Sequence, residues 1–246
     1  MIVATYNVHR CVGTDGTHDP DRVAAVIREL DADVIGLQEV DANPAIEDGL
    51  DQVVYLAKAT GLVGIPGPTL TRHYGGYGNA LLTRLPVRGA DLIDLSVADH
   101  EPRGAIDAEV DAAGVRCRVL VTHLGLRRAE RHQQLTHLVA APPRWPGPSL
   151  TVLLGDLNEW RGIGRLVRRV PSGFRFAGAR SFPARTPLLP LDAIGVFPGD
   201  ALQAIWAHAS PLSRVASDHR PVCAALRSHA ESVSPENGRA ALRRQL

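Results

Sequence analysis

Cysteine, lysine and aromatic residues are all scarce in this sequence, and each scarcity excludes something. The three cysteines, Cys11, Cys117 and Cys223, lie far apart without CxxC spacing, which argues against a disulfide framework or a zinc centre and suits a reducing compartment. Lys58 is the only lysine. Arginine supplies the other basic side chains and suits bidentate phosphate contacts, although a chain rich in Ala, Gly, Arg and Pro explains the bias equally well. The formal charge is +1, too small for a global field that would recruit nucleic acid or an anionic membrane. No apolar run approaches a membrane span. Met1 leads directly into Ile-Val-Ala-Thr-Tyr, without the basic and apolar regions of a signal peptide. A soluble, cytoplasmic chain with no integral membrane segment is expected. Composition leaves the oligomeric state open.

What is present is enough for a large core: 246 residues, 45% of them hydrophobic. The pattern predicts one domain over 1–227 and a flexible tail over 228–246, where apolar content falls away. Met1–Asn7, Val34–Leu37, Leu62–Ile65, Gly78–Thr83, Asp91–Val97, Arg103–Val110, Val115–Thr122, Leu150–Leu154, Leu191–Val196, Ala201–Ala207 and Arg220–Leu226 read as strands. A helix is expected from Pro20, capped by Asp19. Another opens at Asp48 or Asp51 and stops at Gly61, and a third spans Arg127–Ala141 before Pro142-Pro143. Gly162–Val170 reads as a short fourth, and Asp111-Ala-Ala-Gly114 reads as a hairpin between its flanking strands. Short strands with few intervening helices point to two stacked sheets with helices outside.

The most informative stretch is Leu150–Trp160. A buried strand breaks at Gly155, and Asp156 and Asn158 follow one residue apart. Alternate side chains of extended backbone point the same way, so a carboxylate and a carboxamide leave the strand together. Such a pair can hold a hard cation, position a water or steady a phosphate oxygen; a simple Asx turn is the plainer alternative. Asn7, Glu39 and His123 likewise sit at the ends of apolar strands. Two further polar insertions, Leu191-Asp-Ala-Ile194 and Ser217-Asp-His-Arg-Pro221, interrupt strand-like sequence. Loops at strand ends can converge on one face, and so many buried carboxylates need a cation or a histidine partner.

Taken together, Thr5-Tyr-Asn-Val8, Ile35-Gly-Leu-Gln-Glu39, Gly78-Asn-Ala-Leu-Leu-Thr83, Thr122-His-Leu-Gly125, Gly155-Asp-Leu-Asn158, Leu191-Asp-Ala-Ile194 and Ser217-Asp-His-Arg-Pro221 occur in the order of one known group. The sequence resembles the endonuclease/exonuclease/phosphatase superfamily, in its compact, deoxyribonuclease- or sphingomyelinase-like bacterial form. The resemblance implies an α/β fold, a four-layer sandwich of two stacked mixed sheets with helices on the outer faces. It implies Mg²⁺, with Mn²⁺ as the alternative, held by Glu39 and Asn7, with Asp218 a further ligand. Asp156 would orient or deprotonate the attacking water, and Asn158 would hold a phosphate oxygen or the cation. His219, oriented by Asp192, would donate to the phosphoryl group, and His123 would face it from the opposite side. Arg103 and Asn79 are the expected substrate contacts. One departure is His9, which stands where abasic-site endonucleases carry an acidic residue; it speaks against that activity and against a second metal.

The expected activity is therefore Mg²⁺-dependent hydrolysis of a small or lipid-derived phosphodiester by water. Cys11 is the one thiol near a histidine and reads as a small buried side chain. A nuclease is the alternative, with Arg72, Arg103, Arg127, Arg128 and Arg131 as candidate phosphate contacts; Arg127, Arg128 and Arg131 read better as a solvated helix face. Aromatics at 4% offer little for stacking along a strand of nucleic acid. A non-catalytic binding module on the same fold is the third reading.

Overall fold

Two six-stranded sheets carry the fold, and their strand ends place the site. The computed structural model describes residues 1–42, 51–72, 75–145, 147–170 and 172–227. The first sheet holds β1 (Ile2–Asn7), β2 (Val34–Ala42), β3 (Val63–Arg72), β4 (Gly75–Thr83), β11 (Leu202–Ala207) and β12 (Val222–Leu226), in the order β11-β12-β1-β2-β4-β3. The second holds β5 (Val87–Asp94), β6 (Gly104–Ala112), β7 (Val115–His123), β8 (Leu150–Asp156), β9 (Arg175–Gly178) and β10 (Asp192–Phe197), in the order β5-β6-β7-β8-β10-β9. Both sheets are mixed, with β1 parallel to β2 and β7 parallel to β8.

Alternation along the strands sorts the core into layers. Val3, Val34 and Leu81 pack with Val119, Val121, Val152 and Leu154 between the sheets. Their neighbours Ala4, Ile35 and Leu82 turn outward with Val23, Ile27, Val53 and Leu56 of the first two helices. Leu120 and Leu153 turn the other way, towards Leu135 and Leu138 of the third. The expected four layers are present. Gly36 has a specific packing role: a Cβ there would lie 2.9 Å from Leu154 Cβ and Val121 Cγ1. Only glycine lets β2 approach the second sheet so closely.

The helices start and stop where local chemistry says they should. In α1 (Pro20–Leu30), Asp19 accepts a hydrogen bond from Arg22 N at 2.9 Å, a cap worth about 1 kcal/mol. α2 (Gln52–Thr60) is capped by Asp51 and ends at Gly61 in the left-handed region, φ 71°, while Asp48 lies outside the described residues. α3 is Arg128–Ala140. Ala113 and Gly114, with φ 55° and 86°, make the predicted hairpin turn between β6 and β7.

The structure differs from the sequence reading in several places. β2 runs to Ala42 instead of stopping at Leu37, β3 and β4 extend well beyond the predicted strands, and β9 was not anticipated. The Gly162–Val170 helix is two short 3-10 segments, Ile163–Arg165 and Val167–Arg169. Arg131 is buried, not part of a solvated face. The tail 228–246 and the loop residues His73 and Tyr74 lie outside the described residues, as does the Arg72 side chain.

Candidate active site

Strand register does most of the positioning. In β7, β8 and β10, His123 pairs with Asp156, and Asp156 with Asp192, so three titratable groups form one row across the second sheet. In the first sheet, Asn7 at the end of β1 pairs with Gln38 of β2. One extra residue then bulges β2 between Leu37 and Val40, and Glu39 takes φ 56°. A bulge re-aims a side chain without ending the strand, and here it turns Glu39 towards the row.

Asp156 is the hub. Its Oδ2 accepts from Asn7 Nδ2 at 3.1 Å and lies 3.6 Å from His123 Nε2 and 3.7 Å from His219 Nε2. Its Oδ1 accepts from Asn158 N at 2.9 Å. The same Asn7 amide donates to Glu39 Oε1 at 2.8 Å, so carboxylates from two sheets converge on one N–H₂. Asn7 Oδ1 is taken by His9 N at 3.0 Å, which leaves this amide orienting the carboxylates. Ser217 bonds Asn7 O at 2.7 Å and receives His219 N at 3.2 Å, tying the last loop to the end of β1.

The two histidines are held in different states. His219 Nδ1 lies 2.7 Å from Asp192 Oδ2. Burial works against its charge, but Asp192, Asp156 and Asp218 outweigh it and raise the imidazole to about 10. His123 is pushed down to about 4 by burial, helped by Arg103 and His219 and opposed by Asp156. Asn158 Nδ2 bonds both Leu124 O at 2.8 Å and His123 Nε2 at 3.0 Å. The carbonyl requires the NH₂ there, so His123 Nε2 accepts and the proton sits on Nδ1. Burial raises the Asp156 carboxyl, and Asp192 adds to the rise. Tyr77 is raised by burial and by Glu39.

Glu39, Arg103, His123, Asp156, Asn158 and His219 line one cleft of about 290 Å³. Asp192 stands behind His219, and Asn7 beneath the two carboxylates. Asp218 turns away to within 3.8 Å of His9 Nδ1. Asn79 does not line the cleft; it donates to Gly104 O at 3.1 Å and braces the start of β6 beside Arg103. Leu191, next to Asp192, lines it too, and Tyr77, Glu101, Leu126, Trp160 and Phe182 complete the lining without having been predicted as site residues. Trp160, two residues beyond Asn158, was the one with a local signal. Cys11 is buried with its thiol pushed up to about 12, no nucleophile.

The donors suit a hard divalent cation. Glu39 and Asp156 offer converging carboxylate oxygens, and burial of Asp156 disfavours its charge unless a cation answers it. Asp156, Asp192 and His219 also place ligand atoms within 4.8 Å of one another. There, however, Asp192 is committed to Nδ1 and the imidazolium supplies the positive charge, so the Glu39 side fits a cation better.

The family model described as Endonuclease/Exonuclease/phosphatase family matches residues 4–219. The Escherichia coli (strain K12) protein YbhP is 32% identical over 216 residues, covering 80% of this chain and 84% of that one. An endonuclease/exonuclease/phosphatase family protein from Leptotrichia buccalis has a similar structure, with a TM-score of 0.74 at 16% identity over 93% of this chain and 100% of that one. D. rerio TDP2 complexed with single strand DNA product gives 0.70 at 18% identity, covering 93% and 99%. At these identities the structural likeness speaks for the fold alone.

Proposed function

Because the chain belongs to the endonuclease/exonuclease/phosphatase family, whose members are generally divalent-metal-dependent hydrolases of phosphate esters, we propose that it hydrolyses a small or lipid-derived phosphodiester with Mg²⁺, water being the nucleophile. The observation that carries this reading is the convergence on Asp156 of a cationic and a neutral histidine, with the Glu39 carboxylate tied to it through the Asn7 amide. Glu39 and Asp156 would hold the cation, with Asn7 orienting both; Mn²⁺ suits the same oxygen donors. When bound, the cation neutralises charge on the phosphoryl oxygens.

The chain's own groups do the rest. Asp156, through the carboxylate oxygen not turned to the cation, takes a proton from the water as the water oxygen attacks phosphorus. His219 faces the cleft through Nε2, donates to the phosphoryl group and gives its proton to the departing ester oxygen. The separation of 3.7 Å between Asp156 Oδ2 and His219 Nε2 lets the proton return once the product leaves. Arg103 adds fixed positive charge. His123, held neutral, leaves its Nδ1–H as donor.

A small substrate is favoured by the cleft, whose roughly 290 Å³ falls just under the range of about 300–1,000 Å³ common for small-molecule sites. A nuclease is the second reading, favoured by exposed Trp160 with exposed Arg161 next to it in the chain, and by exposed Arg127 and Arg128 following the cleft residue Leu126. The test sets bis-p-nitrophenyl phosphate, sphingomyelin, phosphatidylinositol phosphates and plasmid DNA side by side with Mg²⁺. Turnover of a small or lipid ester, reduced about 10²-fold or more in Asp156→Asn, supports the proposal. Rapid plasmid nicking with inert small and lipid esters replaces it with the nuclease reading, and equal turnover by wild type and Asp156→Asn removes it.

A further inference from the structure

The cleft lining is divided. Glu39, Glu101 and Arg103 make one part ionic, whereas Leu126, Trp160 and Phe182 make another apolar. The apolar part begins at the catalytic imidazole, where the Phe182 ring centroid lies 4.9 Å from that of His219. It continues outward to Trp160, whose ring meets Phe182 edge-on at 6.2 Å and 73°. Trp160 is 50% exposed and Leu126 65% exposed, so two large apolar side chains face water beside a phosphate site. An unpaired apolar surface of this kind marks a place something else covers.

Slack loops do not explain that exposure, because both backbones are pinned from behind by buried groups. Arg131 Nη1 donates to Leu126 O at 2.6 Å, and its Nη2 to Glu159 Oε2 at 3.1 Å. Glu159 Oε1 accepts from Arg161 N at 2.9 Å. Asn158 Nδ2 closes the same two loops through Leu124 O. Arg131, Glu159 and Asn158 are each about 5% exposed or less. The loop after β7 and the loop after β8 therefore form one rigid unit, and rigid apolar walls bind without an ordering penalty.

We propose that Leu126, Trp160 and Phe182 form a subsite for an aromatic or compact apolar group carried on one ester oxygen of the substrate, so that the enzyme prefers phenyl-type to methyl-type phosphodiesters. This rests on the phosphodiester reading above. The occupant follows from continuity: a group on the phosphorus next to His219 meets Phe182 first and Trp160 next. The cleft volume leaves space for one such group, not a run of them.

Calorimetric titration with two monoanionic diester mimics that carry no ester bond tests it, methyl(phenyl)phosphinate and dimethylphosphinate, each in the presence of Mg²⁺. The phenyl compound should bind at least about tenfold more tightly, the low end for apolar discrimination. That ratio should collapse towards unity in Trp160→Ala and Leu126→Ala and persist in Trp160→Phe, a pattern that a general loss of structure would not produce. Equal affinities in the wild type, no detectable binding of the phenyl compound, or a ratio indifferent to both alanine variants would overturn the proposal. The catalytic reading is judged separately: phenyl preference without Asp156-dependent turnover leaves the subsite standing and removes the hydrolase, and Asp156-dependent turnover without preference does the reverse.

Discussion

Asp192 and His219 share a buried 2.7 Å contact between Oδ2 and Nδ1, although 27 residues separate them in the chain. Because Asp192 is a carboxylate acceptor, the Nδ1 proton is fixed on its side, and Nε2 is left to present a proton to the cleft. Asp192→Asn keeps the shape but removes the charge that holds the imidazole cationic. Steady-state kinetics on bis-p-nitrophenyl phosphate should show kcat lower by about 10²–10⁴, the usual worth of acid–base catalysis, with KM little changed. A wild-type kcat in this variant would show that His219 needs no orienting partner.

Stability of the metal-free protein should be bell-shaped in pH, with opposite arms from the two histidines. His219 is raised to about 10 in the fold from an ordinary 6.5, so between those values the native state holds the extra proton. Its contribution is complete below about 6.5 and declines as pH rises to about 10. His123 is lowered to about 4, so between 4 and 6.5 the unfolded chain holds the extra proton, and stability declines as pH falls through that window. Each arm has a limiting slope of about 1.4 kcal/mol per pH unit. Urea melts in EDTA should find the maximum near pH 6–7, and Asp192→Asn should flatten the alkaline arm alone.

Asn7 should act on metal affinity without being a strong ligand itself. Its oxygen is occupied by His9 N while its NH₂ bridges Glu39 and Asp156. Asn7→Ala frees both carboxylates to turn. Removing a group that orients ligands commonly lowers affinity about 10–100-fold, and a Mn²⁺ titration should show a loss in that range. Glu39→Gln should lose more, since it removes a charged donor. If Asn7→Ala binds Mn²⁺ as the wild type does, the shared hydrogen bond is incidental.

Much of this arrangement was legible because it lies in local pattern. Asp19 and Pro20 announce α1, Asp51 and Gly61 bound α2, and Ala113-Gly114 turns a hairpin. The β2 bulge was harder. Gln38-Glu39 reads as the polar end of a strand, whereas the strand continues to Ala42, because a single residue at φ 56° absorbs the interruption. β9 has four residues and no fully buried position, hence no alternation to detect. Asp156 and Asn158 show in the spacing alone, but the pairing of Asp192 with His219 came only through family resemblance. Trp160 and Phe182 were missed because single aromatics in loops have no period, and the cleft between them exists only once both loops are folded. Arg131 failed for a related reason: on a helix rich in charge it reads as solvated, and its partner Glu159 arrives 28 residues later.

That last pair makes a sharp stability prediction. Arg131 and Glu159 are both buried, 3.1 Å apart between Nη2 and Oε2. Arg131→Met retains the aliphatic bulk but removes the cation beside the Glu159 carboxylate and strands Glu159 Oε2 and the Leu126 carbonyl without their donor. Breaking a buried pair from one side costs about 3–5 kcal/mol, because an uncompensated charge stays inside. Adding Glu159→Gln to Arg131→Met removes that charge and should recover part of the loss, so the double variant should melt at a higher urea concentration than Arg131→Met alone. If the two losses simply add, Glu159 is stabilised by groups other than Arg131, and the rigidity of the loops carrying Leu126 and Trp160 has another source.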